Sequence, residues 1–299
     1  MLISRYTGLC VKRVINERSI QTLGYIGDVS YKDMATYVND TKYLRNISDN
    51  IKMIITTEEI YHMSEYREIG YVLVDNPKEY FFALHNSLKN NEEYVGKRKE
   101  SYIDESAQIG KNVSIAPDNV YIGKNVIIED FVKIYENTYI DDDCTICAGT
   151  KIGSIGFQNI MTRKGRIPIL HYGGTHLKKG VVVHCNVCID RALFPWDSTI
   201  IGENTQIDNM VHVAHGVKIG DNCSVAAGAN ICGRTLIEDE VWIGAGTIVS
   251  NGLHIKNKAR LNIGSVIVNN CSENSEWSGN LAIPHTKYLV HHVKKLRGK

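Results

Sequence analysis

A six-residue repeat of aliphatic side chains constrains this sequence more than any other feature. Isoleucine recurs at every sixth position from Ile103 to Ile115 and, after one extra residue, from Ile122 to Ile152. Isoleucine, valine or leucine does so again from Val183 to Ile267, and only Pro195 breaks this second run. In units such as "IGKNVI" and "IGDNCS" the aliphatic side chain faces inward, and the Gly, Asp or Glu that follows helps the chain turn a corner. A helical core would need a period of about 3.6 residues, so this repeat indicates a different architecture.

Three such units make one triangular coil, and stacked coils pair as parallel β ladders about 4.8 Å apart. The pattern is typical of hexapeptide-repeat proteins, whose parallel β-helix is left-handed, unlike the usual right-handed crossover. The number of repeats predicts about eight coils. We therefore expect a mainly β protein built on a left-handed parallel β-helix.

The repeat also divides the chain. Residues 1–98 lack it, and their strand-like runs ("MIITT", "GYVLV") and one helix-like run ("PKEYFFALHNSL") predict a small α/β domain. The β-helix domain is expected over residues 99–272, interrupted by a glycine-containing loop at 154–180. A long excursion from a regular solenoid is typical of a functional loop. Residues 273–299 predict a short basic C-terminal helical tail.

Charge and composition exclude several classes of partner. The chain has 34 basic and 33 acidic residues and a net charge of +1, so no overall field attracts nucleic acid or an anionic membrane. No apolar run approaches the roughly 18 residues of a membrane-spanning helix, and the N-terminus lacks the order of a secretory signal. We expect a cytoplasmic protein without an integral membrane segment.

Eight cysteines raise the question of a metal site, because "CTIC" and "CNVC" are both C-x-x-C pairs. The two pairs are farther apart than in common zinc ribbons. Cys144, Cys223 and Cys271 share one position of the repeat, where a small apolar side chain is needed. We interpret the cysteines as reduced, buried thiols and expect no metal ligands.

Several motifs resemble the LpxD-type acyltransferases, the UDP-3-O-acylglucosamine N-acyltransferases of lipid A assembly. They are "IGSIGF" with "GRIPI", "CIDRAL" and "QIDNMVHVAHGVKIGDN". The resemblance implies a homotrimer that transfers an acyl group from acyl-CoA or acyl carrier protein to the amino group of a nucleotide-linked amino sugar, for lipid A or surface polysaccharide, with no bound cofactor. It also implies that His215 is the general base and that Gly156 and Phe157 belong to a substrate loop.

The chemistry and the coil length suggest two partners for His215. A neutral imidazole can take the proton that an amine loses on attacking a thioester, and the oxyanion then needs backbone N–H donors. One coil beyond His215 is Gly233, at the offset of the family's oxyanion donor, and one coil before it is Asp197, which could orient the ring or bind the sugar. We interpret His212 as structural. The family's second histidine, in N-G-H, is replaced here by Gly252.

The N-terminal segment "TYVNDTKY" resembles the family's F-x-x-N-x-K-Y segment, whose two aromatic rings sandwich uracil. The resemblance implies a nucleotide site at Tyr37, Asp40, Lys42 and Tyr43. Stacking on aromatic rings tolerates different bases, and an ionised Asp cannot donate a hydrogen bond as Asn does. The sequence therefore leaves open whether the nucleotide of the substrate is UDP or dTDP.

Two alternatives come from other classes. A γ-class carbonic anhydrase-like enzyme shares the prism but needs three histidines on zinc, and His171 and His176 are the pair with suitable spacing. A structural or ice-binding solenoid would show a flat face of repeated Thr or Ser, which the excursion and the N-terminal domain argue against.

Overall fold

The computed structural model describes residues 1–6, 10–28, 31–162, 165–279 and 284–296. These residues form an N-terminal α/β domain, a long left-handed parallel β-helix and a C-terminal helix, as the sequence predicts. Residues 163 and 164 of the predicted loop, and residues 280–283 and 297–299 of the predicted tail, lie outside the described residues. Among the helices described, none combines the length and the apolar character needed to cross a bilayer.

The N-terminal domain is a five-stranded sheet covered by short helices. Its strands are β1 (Arg13–Ile15), β2 (Thr22–Leu23), β3 (Met34–Tyr37), β4 (Ile51–Thr56) and β5 (Gly70–Leu73), and its helices are α1 (Glu58–Met63), α2 (Pro77–Ser87) and α3 (Glu92–Val95). The strand order is β1-β5-β4-β3-β2, with only β1 antiparallel to its neighbour. Helix α2 begins where Asn76 accepts a hydrogen bond from Glu79 N and Pro77 fixes the first turn. The two strands and the helix expected from the sequence are all confirmed.

Short strands at six-residue intervals form the three faces of the β-helix. Before the excursion they are β6 (Tyr102–Ile103), β7 (Gln108–Ile109), β8 (Ser114–Ile115), β9 (Val120–Ile122), β10 (Ile127–Ile128), β11 (Lys133–Ile134), β12 (Thr138–Ile140), β13 (Thr145–Ile146) and β14 (Lys151–Ser154). The excursion contains a hairpin of β15 (Asn159–Thr162) and β16 (Gly165–Pro168). After the hairpin follow β17 (Gly174–Leu177), β18 (Val182–Val183), β19 (Cys188–Asp190), β20 (Ser198–Ile201), β21 (Gln206–Ile207), β22 (His212–Val213), β23 (Lys218–Ile219), β24 (Ser224–Val225), β25 (Asn230–Ile231), β26 (Leu236–Ile237), β27 (Trp242–Ile243), β28 (Ile248–Val249), β29 (His254–Ile255), β30 (Arg260–Leu261), β31 (Val266–Ile267) and β32 (Glu276–Trp277), and the chain continues into α4 (His285–Leu296).

Every third strand lies on the same face, so equivalent residues of successive coils stack. Ile128, for example, pairs with Ile109 below it and Ile146 above it. From Ile122 to Ile267 the repeated aliphatic side chains are at most 3% exposed and fill the prism. Asparagines such as Asn125 hold the left-handed backbone conformation at the corners, which explains the recurring "GKN" and "GDN".

The structure corrects three boundaries. The loop predicted at 154–180 is shorter, because β17 already pairs with β12 and buries Leu177 as an in-register aliphatic. Pro195 does not keep the repeat: residues 191–196 form a turn, and the ladder resumes with β20. The β-helix predicted to end at 272 continues to Trp277, which pairs with Leu261 and packs on the core.

The excursion is packed into the core of the N-terminal domain. Ile160 and Ile169 are buried in the same apolar cluster as Phe81 and Phe82 of α2. From α2, Asn86 donates to the carbonyl of Pro168 (2.9 Å) and accepts from Leu170 N (3.0 Å). The loop therefore has a defined position over the side of the β-helix.

Candidate active site

His215 lies at a corner of the prism between β22 and β23, with its imidazole between two glycines. A Cβ atom added at Gly156 would lie 2.9 Å from Cδ2 of the ring, and one added at Gly233 would lie 2.8 Å from Cε1 and 2.9 Å from Nε2. Neither position has room for a side chain beside the ring. The excursion supplies one wall and the next coil supplies the other, so Gly156 and Gly233 both lie against the ring of His215.

Gly233 presents a backbone donor at this corner. The coils are joined here by Arg234 N, which donates to the carbonyl of His215 (3.0 Å). The N–H of Gly233 itself has no hydrogen-bond acceptor among the described residues. Gly233 therefore carries an unpaired backbone N–H at the residue that adjoins Nε2 of the imidazole.

Burial keeps the imidazole of His215 neutral. Desolvation lowers its pKa below the usual 6.5, and the nearby Asp190 carboxylate opposes that effect only in part. His171, from the excursion, packs edge-to-face on the ring with centroids 5.2 Å apart. His171 is 3% exposed, and burial lowers its pKa to about 4. Both rings are therefore uncharged at neutral pH, and a neutral imidazole is the form that accepts protons.

The structure places Asp197 one coil below His215, since Ile200 pairs with Lys218 at the same offset. Its carboxylate is already engaged, by Lys218 Nζ at 2.5 Å and by Ser198 N at 2.9 Å. No hydrogen bond joins it to the imidazole among the described residues. The structure therefore does not show Asp197 orienting the ring, and its role in orienting the ring or binding the sugar stays a prediction. Its negative charge raises the pKa of His215.

Sequence reasoning missed an acid–base pair next to His215. Nε2 of His212 lies 3.0 Å from Oδ2 of Asp190, and Oδ1 of Asp190 accepts a hydrogen bond from Ser154 Oγ at 2.6 Å. Asp190 is buried, and its hydrogen bond raises the pKa of His212. The interpretation of His212 as purely structural overlooked this pair. The "CIDRAL" motif contains Asp190 and was the sequence feature that could have indicated this pair.

The N-terminal domain reaches the same corner through an ion pair. Asp28 accepts from Arg234 at 2.6 Å, and the guanidinium lies over the ring of Tyr25, 4.6 Å from its centroid. The phenol of Tyr25 accepts from Gln158 Nε2 at 2.9 Å. The adjacent Phe157 is 92% exposed, which is unusual for so large an apolar side chain. In the predicted substrate loop, Gln158 is thus held against the N-terminal domain, whereas the ring of Phe157 is exposed.

The predicted nucleotide residues lie close together in the N-terminal domain, but they do not form an open sandwich. Tyr37 ends β3 and packs on Phe81 with ring centroids 5.0 Å apart, and burial raises its pKa to about 12. Tyr43 is 38% exposed, and Lys42 Nζ lies 4.9 Å from its ring centroid. Asp40 accepts from Lys42 N and pairs with Lys42 Nζ, each at 3.0 Å.

The histidines proposed for a carbonic anhydrase-like zinc site separate in space. His176 points outward from β17 and bonds Asp141 at 2.9 Å, whereas His171 is buried against His215. Within the described ranges, the one His, Cys, Asp and Glu trio whose ligand atoms converge contains no histidine. The structure therefore gives this alternative no support.

The repeats and the fold are similar to those of known proteins. The bacterial transferase hexapeptide family (six repeats) matches residues 119–154 and 198–233, and the second segment contains both His215 and Gly233. UDP-3-O-acylglucosamine N-acyltransferases of Helicobacter pylori and Fusobacterium nucleatum are 27% and 30% identical to this chain, over 67% and 60% of its length. One from Francisella tularensis is 37% identical over 42% of the chain and 43% of its own length.

Coverage of the relatives is partial. The chain spans 64% of the Helicobacter protein and 59% of the Fusobacterium protein. Among solved structures, LpxA from Acinetobacter baumannii superimposes with a TM-score of 0.52 at 18% identity, covering 65% of this chain and 76% of that one. This likeness supports the fold alone.

The fold and the repeats define a left-handed β-helix protein with hexapeptide repeats. Its sequence is similar to those of UDP-3-O-acylglucosamine N-acyltransferases, so the resemblance drawn from its motifs is confirmed.

Proposed function

We propose that this protein is an N-acyltransferase that moves an acyl group from a thioester, carried by coenzyme A or acyl carrier protein, to the amino group of a nucleotide-linked amino sugar. The observation that carries the proposal is the neutral imidazole of His215, held between Gly156 and Gly233 beside an unpaired amide. This arrangement offers a base and an oxyanion donor at one corner. The names of the sequence relatives indicate the class of acceptor.

The proposed chemistry is acyl transfer through a tetrahedral intermediate. The amine nitrogen attacks the thioester carbonyl, and Nε2 of His215 takes the proton that the nitrogen loses. The N–H of Gly233 donates to the developing oxyanion. When the carbon–sulfur bond breaks, the imidazolium returns the proton to the leaving thiolate, which yields an amide and a free thiol.

The neighbouring charges suit this cycle. The imidazolium formed in the first step is stabilised by the carboxylates of Asp190 and Asp197, both of which raise the pKa of His215 against its burial. The cation of Arg234 opposes protonation but is already paired with Asp28. The ring can thus be neutral at rest and charged for the lifetime of the intermediate.

We assign acceptor binding to the N-terminal domain. Tyr43 is exposed and available for stacking on a base, and Lys42 lies beside it with a positive charge suited to the diphosphate. Tyr37 would support this site from its half-buried position, and Asp40 holds the turn by capping it. The exposed ring of Phe157 would contact the acyl donor or a neighbouring prism of a homotrimer. The active site would lie between the subunits of that trimer.

A panel assay tests the proposal. Thiol release would be measured with acetyl-CoA, 3-hydroxybutyryl-CoA and a 3-hydroxyacyl carrier protein as donors, against UDP-3-O-acylglucosamine and other UDP- and dTDP-amino sugars. The matched control acceptor is UDP-N-acetylglucosamine, whose nitrogen is already acylated. We expect turnover that requires a free amine. Turnover with the control alone would show O-acyl transfer instead, and no turnover with any pair would contradict the proposal.

A further inference from the structure

Three metal-ligating side chains converge at a corner of the prism away from His215. They are Glu129, Cys147 and Cys185, and one ligand atom from each lies within 4.8 Å of the other two. Among the residues that the structure describes, no other group of His, Cys, Asp and Glu is as close. The two thiols come one from each C-x-x-C motif, so neither motif acts as a pair.

The register of the coils brings these residues together. Glu129 directly follows β10 and Cys147 directly follows β13, and these strands stack one above the other. Cys185 follows β18, which pairs with β13 on the next coil although the whole excursion separates them in sequence. The cluster therefore bridges the coil that enters the excursion and the coil that leaves it.

Hydrogen bonds hold each of the three residues in place. Glu129 Oε2 accepts from Ala148 N at 2.9 Å, which leaves its other oxygen available. Cys147 N donates to the carbonyl of Val183 at 2.8 Å, and Cys185 N donates to Asn209 Oδ1 at 3.0 Å. The three side chains are thus held on a rigid frame.

These thiols differ from the cysteines that fill the core. Cys144 and Cys223 are buried and donate to the carbonyls of Lys178 and Glu238, both at 3.1 Å, which accounts for them as core residues. Cys147 and Cys185 are half-buried and open to solvent on one side. Packing in the core therefore does not account for Cys147 and Cys185.

We propose that Glu129, Cys147 and Cys185 bind a thiophilic divalent cation of the zinc type, with water as the fourth ligand. Two thiolates and a carboxylate are ligands that zinc prefers. Zinc–ligand bonds of about 2.0–2.3 Å put tetrahedral ligand atoms about 3.5–3.8 Å apart, so side-chain movements of about 1 Å would close the site. The ion would tie together the two coils that flank the excursion, separately from acyl transfer at His215.

Binding must displace the thiol protons, which gives the site a second signature. Because each thiol releases its proton when it coordinates the metal, affinity should rise with pH. A carboxylate site without thiolates would not respond in this way above neutral pH. The pH dependence therefore reports whether the cysteines are ligands.

Cadmium titration of the reduced, full-length protein tests the proposal, because the thiolate-to-cadmium absorption band reports sulfur ligation directly. We expect one ion per chain, with the band present and tighter binding at higher pH. Cys147→Ser and Cys185→Ser should each weaken binding at least about tenfold, since losing a direct ligand should cost no less than losing an outer partner. Cys188→Ser, a half-buried thiol on the same coil outside the cluster, is the matched control and should bind as the wild type does.

A further variant tests the site even if the cysteine variants misfold. Glu129 is exposed, and Glu129→Gln keeps an oxygen that can accept from Ala148 N. This variant should fold normally and still bind the ion several-fold more weakly. At the same zinc concentration, zinc should raise the melting temperature of the wild type more than that of Cys147→Ser. Absence of the absorption band, or equal weakening by Cys188→Ser, would overturn the proposal.

Discussion

Replacing Gly233 by alanine tests whether the position of the His215 ring controls catalysis. The new Cβ would lie 2.8 Å from Cε1 and 2.9 Å from Nε2 of the imidazole, whereas carbon atoms prefer about 3.5–4.0 Å. The ring would have to move by about 0.7 Å, and the close approach of Gly156 on its other side limits where it can go. Gly233 has no left-handed backbone angle that would strain an alanine. The substitution also keeps the amide donor.

A misplacement of about 1 Å can cost about a hundredfold in rate. We therefore expect kcat/KM for Gly233→Ala to fall roughly 10- to 100-fold, or about 1.4–2.7 kcal/mol of transition-state stabilisation. The assay is thiol release from the best donor and acceptor found in the panel. Gly279→Ala, where a Cβ meets nothing within 4 Å, is the control and should be unaffected. Wild-type activity in Gly233→Ala would refute the claim that Gly233 positions the base.

The other predictions concern the base, the nucleotide site and the core. His215→Ala should lower kcat by about 10²–10⁴-fold with an unchanged circular dichroism spectrum. Because burial lowers the pKa of the His215 ring and the neutral form is the active base, the acidic limb of kcat in the wild type should lie below pH 6.5, and a limb above 6.5 would contradict this assignment. The profile is measured on kcat because protonation of the free acceptor amine also affects kcat/KM. Tyr43→Ala should chiefly raise KM for the nucleotide sugar and leave the melting temperature unchanged, whereas an unaltered KM would count against stacking. His85, whose pKa burial lowers to about 4, stays neutral in the folded protein while the unfolded chain binds a proton below 6.5. Stability should therefore fall as pH drops from 6.5 towards 4, and His85→Gln should flatten that slope in thermal melts.

The sequence predicted the prism well because each six-residue unit carries its own information. An aliphatic side chain such as Ile128 needs only its neighbours one coil away, so the repeat determines the ladder without any long-range knowledge. The same regularity related His215 to Gly233, which lie one full coil apart in an uninterrupted stretch. Counting one coil of 18 residues along the sequence is therefore reliable where no residue is inserted.

Reasoning by offset failed where residues are inserted. Asp190 bonds His212 because the turn at 191–196 lengthens that coil: Cys188 pairs with His212 rather than with the residue 18 positions on. His171 reaches His215 because the excursion packs on α2, which no motif in the excursion reveals. The engagement of Asp197 by Lys218 depends on side-chain choices that a repeat does not encode.

The common core of the excursion and the N-terminal domain limits how such a protein could change its specificity. Ile160 and Ile169 are embedded among the phenylalanines of α2, and Gly156 at the start of the same excursion forms a wall of the His215 site. A chimera that replaced only the N-terminal domain would remove the support for this wall. We expect functional domain exchange, whether by evolution or in the laboratory, to require transplanting both segments together.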